Sequence, residues 1–289
     1  MSAPALRLRS TLYVPGANER ALEKARGLAA DALILDLEDS VAPEAKPLAR
    51  GRVCELVRAG AFGTRPVVVR INGMNTSWYQ DDLMAAAAAE PDAVLVPKVQ
   101  RADDVIAVER ALRRAGAERT AVWAMLETPL AVLRALEIAT ASERLTVLVT
   151  GTNDLLAELH AEDVPGRRPL GPSLSLCLLA ARASGRLILD GVYNDVSDLM
   201  GFVTECREAR RLGFDGKTLI HPSQIDPCND AFSPSERDIE HARRIIDAFE
   251  RATQAGNGVV TVDGRMVEAL HVESARRVLA NAGQTKAST

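Results

Sequence analysis

Cysteine, aromatic residues and long apolar runs are all scarce in this sequence, and each scarcity excludes a class of protein. The four cysteines are far apart with no Cys-x-x-Cys pair, which argues against a zinc site and against a disulfide framework. Aromatic residues make up only 3% of the chain, so its core must be aliphatic. No apolar run approaches the roughly 20 residues of a membrane-spanning helix, so no membrane partner is expected.

Excess positive charge and a nucleotide-binding motif are missing as well. The net charge is −4, so no basic surface for a nucleic-acid partner is expected. No strand-like run is followed by the glycine-rich fingerprint of dinucleotide-binding folds. Arg7 and Arg9 interrupt the apolar residues near the N-terminus, which argues against a signal peptide and makes the cytoplasm the expected location.

The sequence does contain a regular alternation of two kinds of segment. Short β-branched or aliphatic runs, such as ALILDLED and PVVVRING, are each followed by a stretch rich in alanine, leucine, arginine and glutamate with helical spacing. Eight such units occur, and their apolar runs are nearly continuous, as in a parallel sheet covered on both faces. We therefore predict an α/β fold, a (β/α)8 TIM barrel over residues 7–254. An open, doubly wound sheet is the alternative.

A short segment follows the eighth predicted helix and lies outside the barrel pattern. GVVTVDGRMVE contains two apolar runs separated by Asp263-Gly264, a pair typical of tight hairpin turns. A helical pattern comes after it. We predict that residues 255–283 form a hairpin-plus-helix extension that acts as a lid on a barrel mouth.

Polar residues gather where the predicted strands end, which is where (β/α)8 enzymes place their chemistry. Loops are polar in any protein, and this explains some of these residues, but it explains their repetition at strand after strand less well. The strand-end residues are Asp36, Glu38, Asp39, Arg70, Asn72, Lys98, Glu127, Asp154, Asp190, Asn194, Asp195 and His221.

Glu127 and Asp154 form the most informative pair among these residues. They are about one strand–helix repeat apart, so adjacent strands would carry them to the same rim of the barrel. Two facing carboxylates need a counter-ion, and Mg²⁺ typically binds one or two protein carboxylates together with waters and substrate oxygens. No cluster of histidine or cysteine offers a transition-metal site. We therefore predict that Mg²⁺ is the cofactor.

Arg70 is a cation placed at the end of the apolar run PVVV. A guanidinium in that position suits bidentate binding of a carboxylate or of a developing oxyanion. We predict that Arg70 binds substrate and takes part in catalysis. The alternative is a structural salt bridge to Asp36 or Glu38.

Several motifs in a fixed order resemble one family of enzymes. ALILDLEDSVAPEAKPLAR, VVVRINGMNT, AMLETPLAV, GTNDLLAEL and GFDGKTLIHPSQI are together similar to the acyl-CoA lyases related to the citrate lyase β subunit. These include malyl-CoA and citramalyl-CoA lyases, among the HpcH/HpaI aldolases of the pyruvate/phosphoenolpyruvate barrel superfamily. The resemblance extends to the final helix, and it implies a (β/α)8 barrel with Mg²⁺.

The resemblance also implies roles for individual residues. The family's metal carboxylates match Glu127 and Asp154, and its substrate arginine matches Arg70. Tyr13, in the first predicted strand, and Lys24, in the first predicted helix, match residues that contact the CoA part of the substrate.

Two further sets of residues are expected near the ligands. Ile220 and His221 match a ligand-lining loop, although His221 precedes a proline and a role as loop cap is an equal alternative. An acidic group is expected behind the metal, where it would hold metal-bound waters or Arg70. Lys98 is expected to partner these acids. The acidic residues are Asp36, Glu38 and Asp39.

The C-terminal extension also has a counterpart in the family. In several members a hairpin after the barrel carries an aspartate that reaches the site of a neighbouring subunit. The corresponding stretch here reads MVEAL, with Glu268 in place of the aspartate and Leu270 where proline is usual. The resemblance therefore implies that Glu268 is a catalytic acid or base, with a side chain longer by one methylene.

The activity implied by the resemblance is that of a Mg²⁺-dependent carbon–carbon lyase. Its substrate would be a β-hydroxyacyl-CoA of the malyl-CoA or citramalyl-CoA type, cleaved to a 2-oxo acid and an acetyl-type CoA thioester. Three alternatives are a citrate lyase β subunit that acts on acyl-carrier-protein thioesters in a complex, a metal aldolase for free 2-oxo-4-hydroxy acids, and a ligand-binding barrel without activity.

The hairpin also bears on assembly. An isolated two-stranded hairpin is marginal in water and must pack on something. We predict a homotrimer, or a hexamer formed as a dimer of trimers, in which the hairpin closes the barrel of a neighbouring subunit. The alternative is that it packs on its own barrel.

Overall fold

Eight parallel strands pair in sequence order, and the first strand closes the ring on the last. The computed structural model describes residues 6–286. The closed barrel predicted from the sequence is confirmed, and the open, doubly wound sheet is excluded. The strands are β1 (Ser10–Pro15), β2 (Ala32–Asp36), β3 (Val67–Arg70), β4 (Ala93–Val96), β5 (Ala121–Leu126), β6 (Leu145–Thr150), β7 (Leu187–Asp190) and β8 (Gly216–Leu219).

Helices alternate with the strands along the chain. Within residues 6–286, none of them is both long and apolar enough to span a membrane. The helices are α1 (Glu19–Ala25), α2 (Lys46–Arg58), α3 (Tyr79–Ala89), α4 (Ala102–Arg114), α5 (Pro129–Leu133), α6 (Ala135–Ala139), α7 (Thr152–Glu158), α8 (Gly171–Ser184), α9 (Leu199–Leu212), α10 (Ile225–Phe232), α11 (Glu236–Gln254) and α12 (Ala269–Lys286).

The barrel core is aliphatic, as the scarcity of aromatic residues requires. Every residue of β2, β3 and β4 is buried, which matches strands covered on both faces. One interior cluster joins side chains from several strands, among them Ile34, Val68, Leu95 and Val149, together with Trp123. Packing of this kind fixes the strand ends, and with them the side chains at the barrel mouth.

A second compact unit begins at Asp230 and contains α11, a hairpin and α12. The hairpin strands are β9 (Val260–Val262) and β10 (Arg265–Val267), which pair antiparallel around the predicted turn at Asp263-Gly264. The sequence assigned the α11 segment to a barrel domain ending at residue 254. The structure instead groups α11 with the hairpin, so the observed boundary lies earlier in the chain.

The hairpin has its own apolar partners inside this unit. Val262 and Val267 are buried together with Val272 of α12, and Ile245 and Phe249 of α11 pack against them. The expectation that the hairpin must pack on something is met inside its own unit, where α11 and α12 cover its apolar residues. A need for packing no longer argues for a neighbouring subunit, and the homotrimer or hexamer stays a prediction.

Candidate active site

A cavity of about 340 Å³ lies at the carboxyl ends of the barrel strands, where the sequence predicts the chemistry. The structure thus brings the predicted metal ligands and the predicted substrate arginine into one cavity. The predicted site residues in its wall are Tyr13, Asp36, Asp39, Arg70, Glu127, Asp154 and Ile220.

Arg70 is held by Asp36, its neighbour across two paired strands. β2 and β3 pair so that Asp36 lies directly opposite Arg70. The guanidinium donates from Nε to Asp36 Oδ1 at 2.6 Å and from Nη2 to Asp36 Oδ2 at 2.7 Å. Both side chains are buried, so this bidentate pair fixes the plane of the guanidinium. Burial alone would raise the pKa of Asp36, but the Arg70 charge together with hydrogen bonds from Arg70, Ser40 and the Glu38 N–H holds that pKa below its ordinary value.

Two more carboxylates and an aromatic ring surround the same guanidinium. Arg70 Nη1 lies 2.9 Å from Glu38 Oε2 and 3.2 Å from Asp39 Oδ2. The guanidinium carbon lies 4.8 Å from the centre of the Tyr13 ring, which is a cation–π contact. The structural salt bridge considered for Arg70 is therefore present, and Arg70 also lines the cavity.

Side-chain contacts hold the backbone of the loop after β2, which carries Glu38 and Asp39. Lys46 Nζ donates to the carbonyl oxygens of Leu37 at 3.0 Å and Glu38 at 2.7 Å, and its ammonium lies over the ring of Trp78. Asn72 Nδ2 also donates to the Leu37 carbonyl, at 2.9 Å. These contacts restrict how far the backbone of Leu37 and Glu38 can move, so Glu38 approaches Arg70 from a fixed position.

Glu127 follows β5 directly and is buried. Its Oε1 accepts a hydrogen bond of 2.6 Å from the backbone N–H of Lys98. Thr128 caps the next helix by accepting from Ala131 N at 3.1 Å, and Pro129 occupies the first turn. The apolar strand thus delivers the acid to the cavity, and the Thr-Pro turn ends the strand immediately behind it.

Gly151 makes room for the Glu127 side chain. β6 pairs with β5, and Gly151 N donates to the Leu126 carbonyl at 3.2 Å. A Cβ at position 151 would overlap the Glu127 carboxylate and its Cβ. Only glycine permits this approach, so the glycine of GTND is a signal in the sequence that the search for charged residues missed.

Asp154 lies in the first turn of α7, after β6, so the predicted adjacency of the two strands is observed. Lys98 Nζ lies 3.4 Å from Asp154 Oδ1. Lys98 was predicted to partner Glu38 and Asp39; the ion pair in the structure is with Asp154, and the charge of Glu38 also helps to raise the pKa of Lys98. Lys98 has a φ of 52°, and from this left-handed position its N–H reaches Glu127 while its ammonium reaches Asp154.

Glu127 and Glu38 hold their protons more tightly than free carboxylic acids do. Burial, followed by the charge of Asp154, raises the pKa of Glu127 to about 7. Burial raises the pKa of Glu38 to about 8, although the Arg70 charge acts in the opposite direction. Negative charge is therefore in excess here, and a bound cation would be stabilised.

The donor set fits Mg²⁺ better than a transition metal. Among residues 6–286 there is no group of three or more histidine, cysteine, aspartate or glutamate side chains arranged to hold a metal. Glu127 and Asp154 line the cavity together and are the residues that would hold Mg²⁺. Two carboxylates with room for waters and substrate oxygens is the arrangement that Mg²⁺ accepts.

Lys24 and His221 do not line this cavity. Lys24 is exposed in the last turn of α1. His221 caps the short helix that follows it, with Nδ1 accepting from Ser223 N at 3.2 Å, so the role of loop cap is the one observed. Glu268 is half-buried between β10 and α12 in the second unit, where its N–H donates to His271 Nδ1.

Asp190 also ends a strand, but it belongs to a different cluster. Its Oδ1 accepts from Arg167 Nη1 at 2.7 Å, and its Oδ2 accepts from Lys217 Nζ at 2.8 Å. Lys217 also donates to Glu205 Oε1 at 2.6 Å. Two cations and two anions balance one another here, so strand-end position alone did not distinguish this cluster from the cavity.

Several small or apolar residues of the cavity were missed from the sequence. They come from the same strand ends as the charged residues but carry no charge to mark them. Tyr13 donates its hydroxyl hydrogen to Met125 Sδ at 3.9 Å, so Met125 also lies beside the predicted aromatic. The missed residues are Pro15, Ser40, Met125, Thr150, Thr152, Asn153, Val192 and Thr218.

Fold and cavity together define a (β/α)8 barrel whose mouth presents a fixed arginine and a pair of carboxylates. Two family models match the sequence: HpcH/HpaI aldolase/citrate lyase over residues 9–222, and C–C bond lyase of the TIM-barrel fold over residues 176–284. The chain belongs to the HpcH/HpaI aldolase/citrate lyase family. The resemblance noted from the sequence is confirmed.

Relatives in this family include enzymes with two different names. The chain is 51% identical to a (3S)-malyl-CoA thioesterase from Cereibacter sphaeroides, over 95% of this chain and 94% of the relative. It is 38% identical to the citrate lyase subunit beta of Escherichia coli (strain K12), over 95% of this chain and 93% of the relative.

Two solved structures resemble the chain, with sequence identities of 33% and 35%. The protein CitE from Mycobacterium tuberculosis, in complex with magnesium, acetoacetate and coenzyme A, has a TM-score of 0.81 and 33% identity, covering 97% of this chain and all of that one. A citrate lyase beta subunit from the same organism, complexed with oxaloacetate and magnesium, has a TM-score of 0.68 and 35% identity, covering 81% of this chain and 100% of that one.

Proposed function

We propose that this chain is a Mg²⁺-dependent carbon–carbon lyase that cleaves a malyl-CoA or citramalyl-CoA type thioester to a 2-oxo acid and an acetyl-type CoA thioester. The observation that carries the proposal is the convergence of Arg70, Glu127 and Asp154 on one cavity at the barrel mouth. One matching family model is described as a C–C bond lyase and the other as aldolase/citrate lyase, which supports carbon–carbon cleavage. The relative with magnesium, acetoacetate and coenzyme A supports the substrate class.

In this proposal the carboxylates of Glu127 and Asp154 hold the metal. When bound, Mg²⁺ supplies Lewis-acid polarisation of the substrate oxygens. Burial of Glu127 and its contact with the Lys98 N–H orient one ligand before substrate arrives. Asp154 is more exposed and lies within reach of the Lys98 ammonium, which would move aside or share the carboxylate.

Arg70 would stabilise the second negative charge, either on the thioester enolate or on a substrate carboxylate. Cleavage moves two protons: the substrate hydroxyl loses one as it becomes a carbonyl, and the enolate carbon gains one. Glu268 from a partner subunit is the proposed acid or base for one of these transfers. Tyr13 and Ile220 line the cavity and would contact the thioester side.

Thioester hydrolysis is the second candidate reaction. The 51% identical relative named (3S)-malyl-CoA thioesterase favours it. Water would add to the thioester carbonyl and the CoA thiolate would leave with a proton, giving a free hydroxy acid. The same cavity would bind the same substrate, so the two reactions differ in which bond of that substrate breaks.

A product assay separates the candidates. Purified protein with Mg²⁺ is incubated separately with malyl-CoA, methylmalyl-CoA and citramalyl-CoA, and the products are identified by mass spectrometry. Carbon–carbon cleavage releases a 2-oxo acid and an acyl-CoA, whereas hydrolysis releases free CoA and the intact hydroxy acid. Glu127→Gln is the control for metal dependence.

A citrate lyase β subunit and a metal aldolase would each give a distinct outcome in the same assay. Turnover of citryl or malyl thioesters on an acyl carrier protein, without turnover of CoA esters, would indicate a citrate lyase β subunit. Turnover of free 2-oxo-4-hydroxy acids alone would indicate the metal aldolase. A protein that turns over none of these compounds would contradict the proposed function.

The assembly and Glu268 are tested together by subunit mixing. Glu268→Ala and Arg70→Ala are expected to be inactive alone. If Glu268 serves a neighbouring subunit of a homotrimer or hexamer, mixed oligomers regain part of the activity. Full activity of Glu268→Ala on its own would remove this residue from the mechanism.

The cytoplasm remains the predicted location.

A further inference from the structure

Asp36 and Asp39 both contact Arg70, but they are held in different ways. Asp36 occupies the side edge of the guanidinium through Nε and Nη2, and it also accepts from the backbone N–H groups of Glu38 and Ser40. Its side chain is 1% exposed. Asp39, by contrast, is 65% exposed and makes one hydrogen bond of 3.2 Å to Arg70 Nη1.

The position of Asp39 decides which N–H groups of Arg70 are available. A guanidinium presents five N–H groups in a planar fork. The side edge is taken by Asp36, so an incoming carboxylate can pair in two places only with the end edge, formed by Nη1 and Nη2. Asp39 accepts from Nη1 at 3.2 Å and lines the cavity, whereas Glu38, whose Oε2 lies 2.9 Å from the same Nη1, is largely buried.

We propose that Asp39 is an internal competitor for the anionic group of the substrate and sets the affinity of the site for it. An incoming carboxylate or enolate oxygen takes the Nη1 position, and Asp39 turns away into solvent. The two anions exclude each other because they need the same donor and because they repel. This inference rests on the proposed function only in assigning a substrate anion to Arg70.

Displacing Asp39 disturbs little else. Arg70 is buried, but the Asp39 side chain is 65% exposed, so water solvates its carboxylate when it leaves. Asp36 and Glu38 stay in place, so the guanidinium keeps its orientation while Asp39 leaves. A neutral ligand with a single acceptor atom gains less interaction free energy at Arg70 than is lost when the charged Asp39 carboxylate leaves. The contact therefore favours ligands with a full negative charge over neutral ones.

The test uses malonate and metal-free protein prepared on a chelating resin. Binding is followed by NMR of the arginine Nε–H groups in ¹⁵N-arginine-labelled protein, with the Arg70 signal assigned from Arg70→Lys. Asp39→Asn keeps the shape but removes the charge, and it should bind malonate about 3- to 10-fold more tightly than the unaltered protein. Asp39→Ala should gain at least as much.

Glu44→Gln is the matched control, because it removes one exposed charge from the same loop. Its malonate affinity should stay within twofold of the unaltered protein. Equal or weaker binding by both Asp39 variants, a gain in Glu44→Gln as large as in Asp39→Asn, or no malonate binding at Arg70 in any variant would overturn the proposal. A negative product assay would overturn only the proposed function, since malonate binding needs neither metal nor turnover.

Discussion

Two buried charge clusters lie at the carboxyl ends of the same barrel, and they differ in balance. Around Lys217, two cations pair with two anions, and the side chains of Lys217 and Asp190 are fully buried. Around Arg70, one guanidinium faces three carboxylates, and a further acidic pair shares the cavity. A balanced cluster needs no ligand, whereas an excess of one charge beside a cavity creates a place for a counter-ion.

The direction of the pKa shifts follows the same division. In the Lys217 cluster the pKa of Asp190 is lowered and that of Lys217 is raised, because the opposite charges outweigh burial. Both groups are therefore held in their charged forms. Around Arg70 the shifts are mixed: the pKa of Asp36 is lowered, but burial raises the pKa of Glu127 to about 7 and of Glu38 to about 8. At Glu127 and Glu38 the attraction of nearby cations is too small to offset the effect of burial.

The largest expected effect on folding belongs to the balanced cluster. Asp190→Asn leaves Lys217 and Arg167 buried with one anion between them, and breaking such a pair costs about 3–5 kcal/mol. Urea unfolding followed by circular dichroism should show this loss. A free energy of unfolding within about 1 kcal/mol of the unaltered protein would show that the cluster is not structural.

Arg70→Lys should lower the activity strongly and change the stability little, the opposite of Asp190→Asn. Lysine keeps the charge but loses the planar fork, and loss of one oxyanion contact corresponds to about 3–4 kcal/mol in the activation barrier. Steady-state kinetics should show kcat/KM falling by about 10²–10³-fold. The urea midpoint should change much less than in Asp190→Asn. A near-normal rate would show that the arginine fork is not used.

Gly151→Ala tests whether close packing positions Glu127. The added Cβ would overlap the Glu127 side chain and push it from its place beside Asp154. Metal affinity, measured by titration calorimetry, should fall by about 10- to 100-fold, as when a supporting contact of a metal ligand is lost.

The matched control is Gly51→Ala, because Gly51 lies within α2 and has open space around its Cα. Alanine there should stabilise the protein by about 0.5–1 kcal/mol and leave metal affinity unchanged. Equal metal affinity in both glycine variants would contradict the assigned role of Gly151.

The sequence predicted the barrel well because apolar runs at a steady spacing leave few other ways to bury them. It also placed Glu127 and Asp154 together, since consecutive strands of a barrel are neighbours. Asp190 looked equivalent in sequence, because a strand-end acid reads the same whether or not a buried lysine lies beside it. That lysine is on β8 and its second partner is on α9, so only the fold reveals the pairing.

Lys98 and α11 show two other limits of sequence reasoning. Lys98 adopts a left-handed backbone that its sequence gives no reason to expect, and this conformation decides which acids it reaches. The α11 segment has the spacing of a barrel helix, yet its apolar face packs on Val262 and Val267 of the hairpin. An amphipathic pattern shows that a helix has a partner without showing which partner it has.

Metal-free protein should show a pH dependence of stability. The unfolded chain releases the Glu127 proton near the ordinary pKa of about 4.3, while the folded protein holds it to about 7. Stability is therefore lost as pH rises between these values. At about 1.4 kcal/mol per pKa unit, Glu127→Gln should remove about 3–4 kcal/mol of that dependence, measured by urea unfolding from pH 4 to 8. Identical pH profiles would contradict the shift.

The most direct test of the central claim, that the unbalanced cavity holds Mg²⁺ while the balanced cluster does not, is a Mg²⁺ titration by calorimetry of the unaltered protein and Glu127→Gln. We expect one Mg²⁺ per chain in the unaltered protein and affinity lowered by at least about 10-fold in Glu127→Gln. Equal Mg²⁺ affinity in the two proteins, or no binding by the unaltered protein, would contradict the claim.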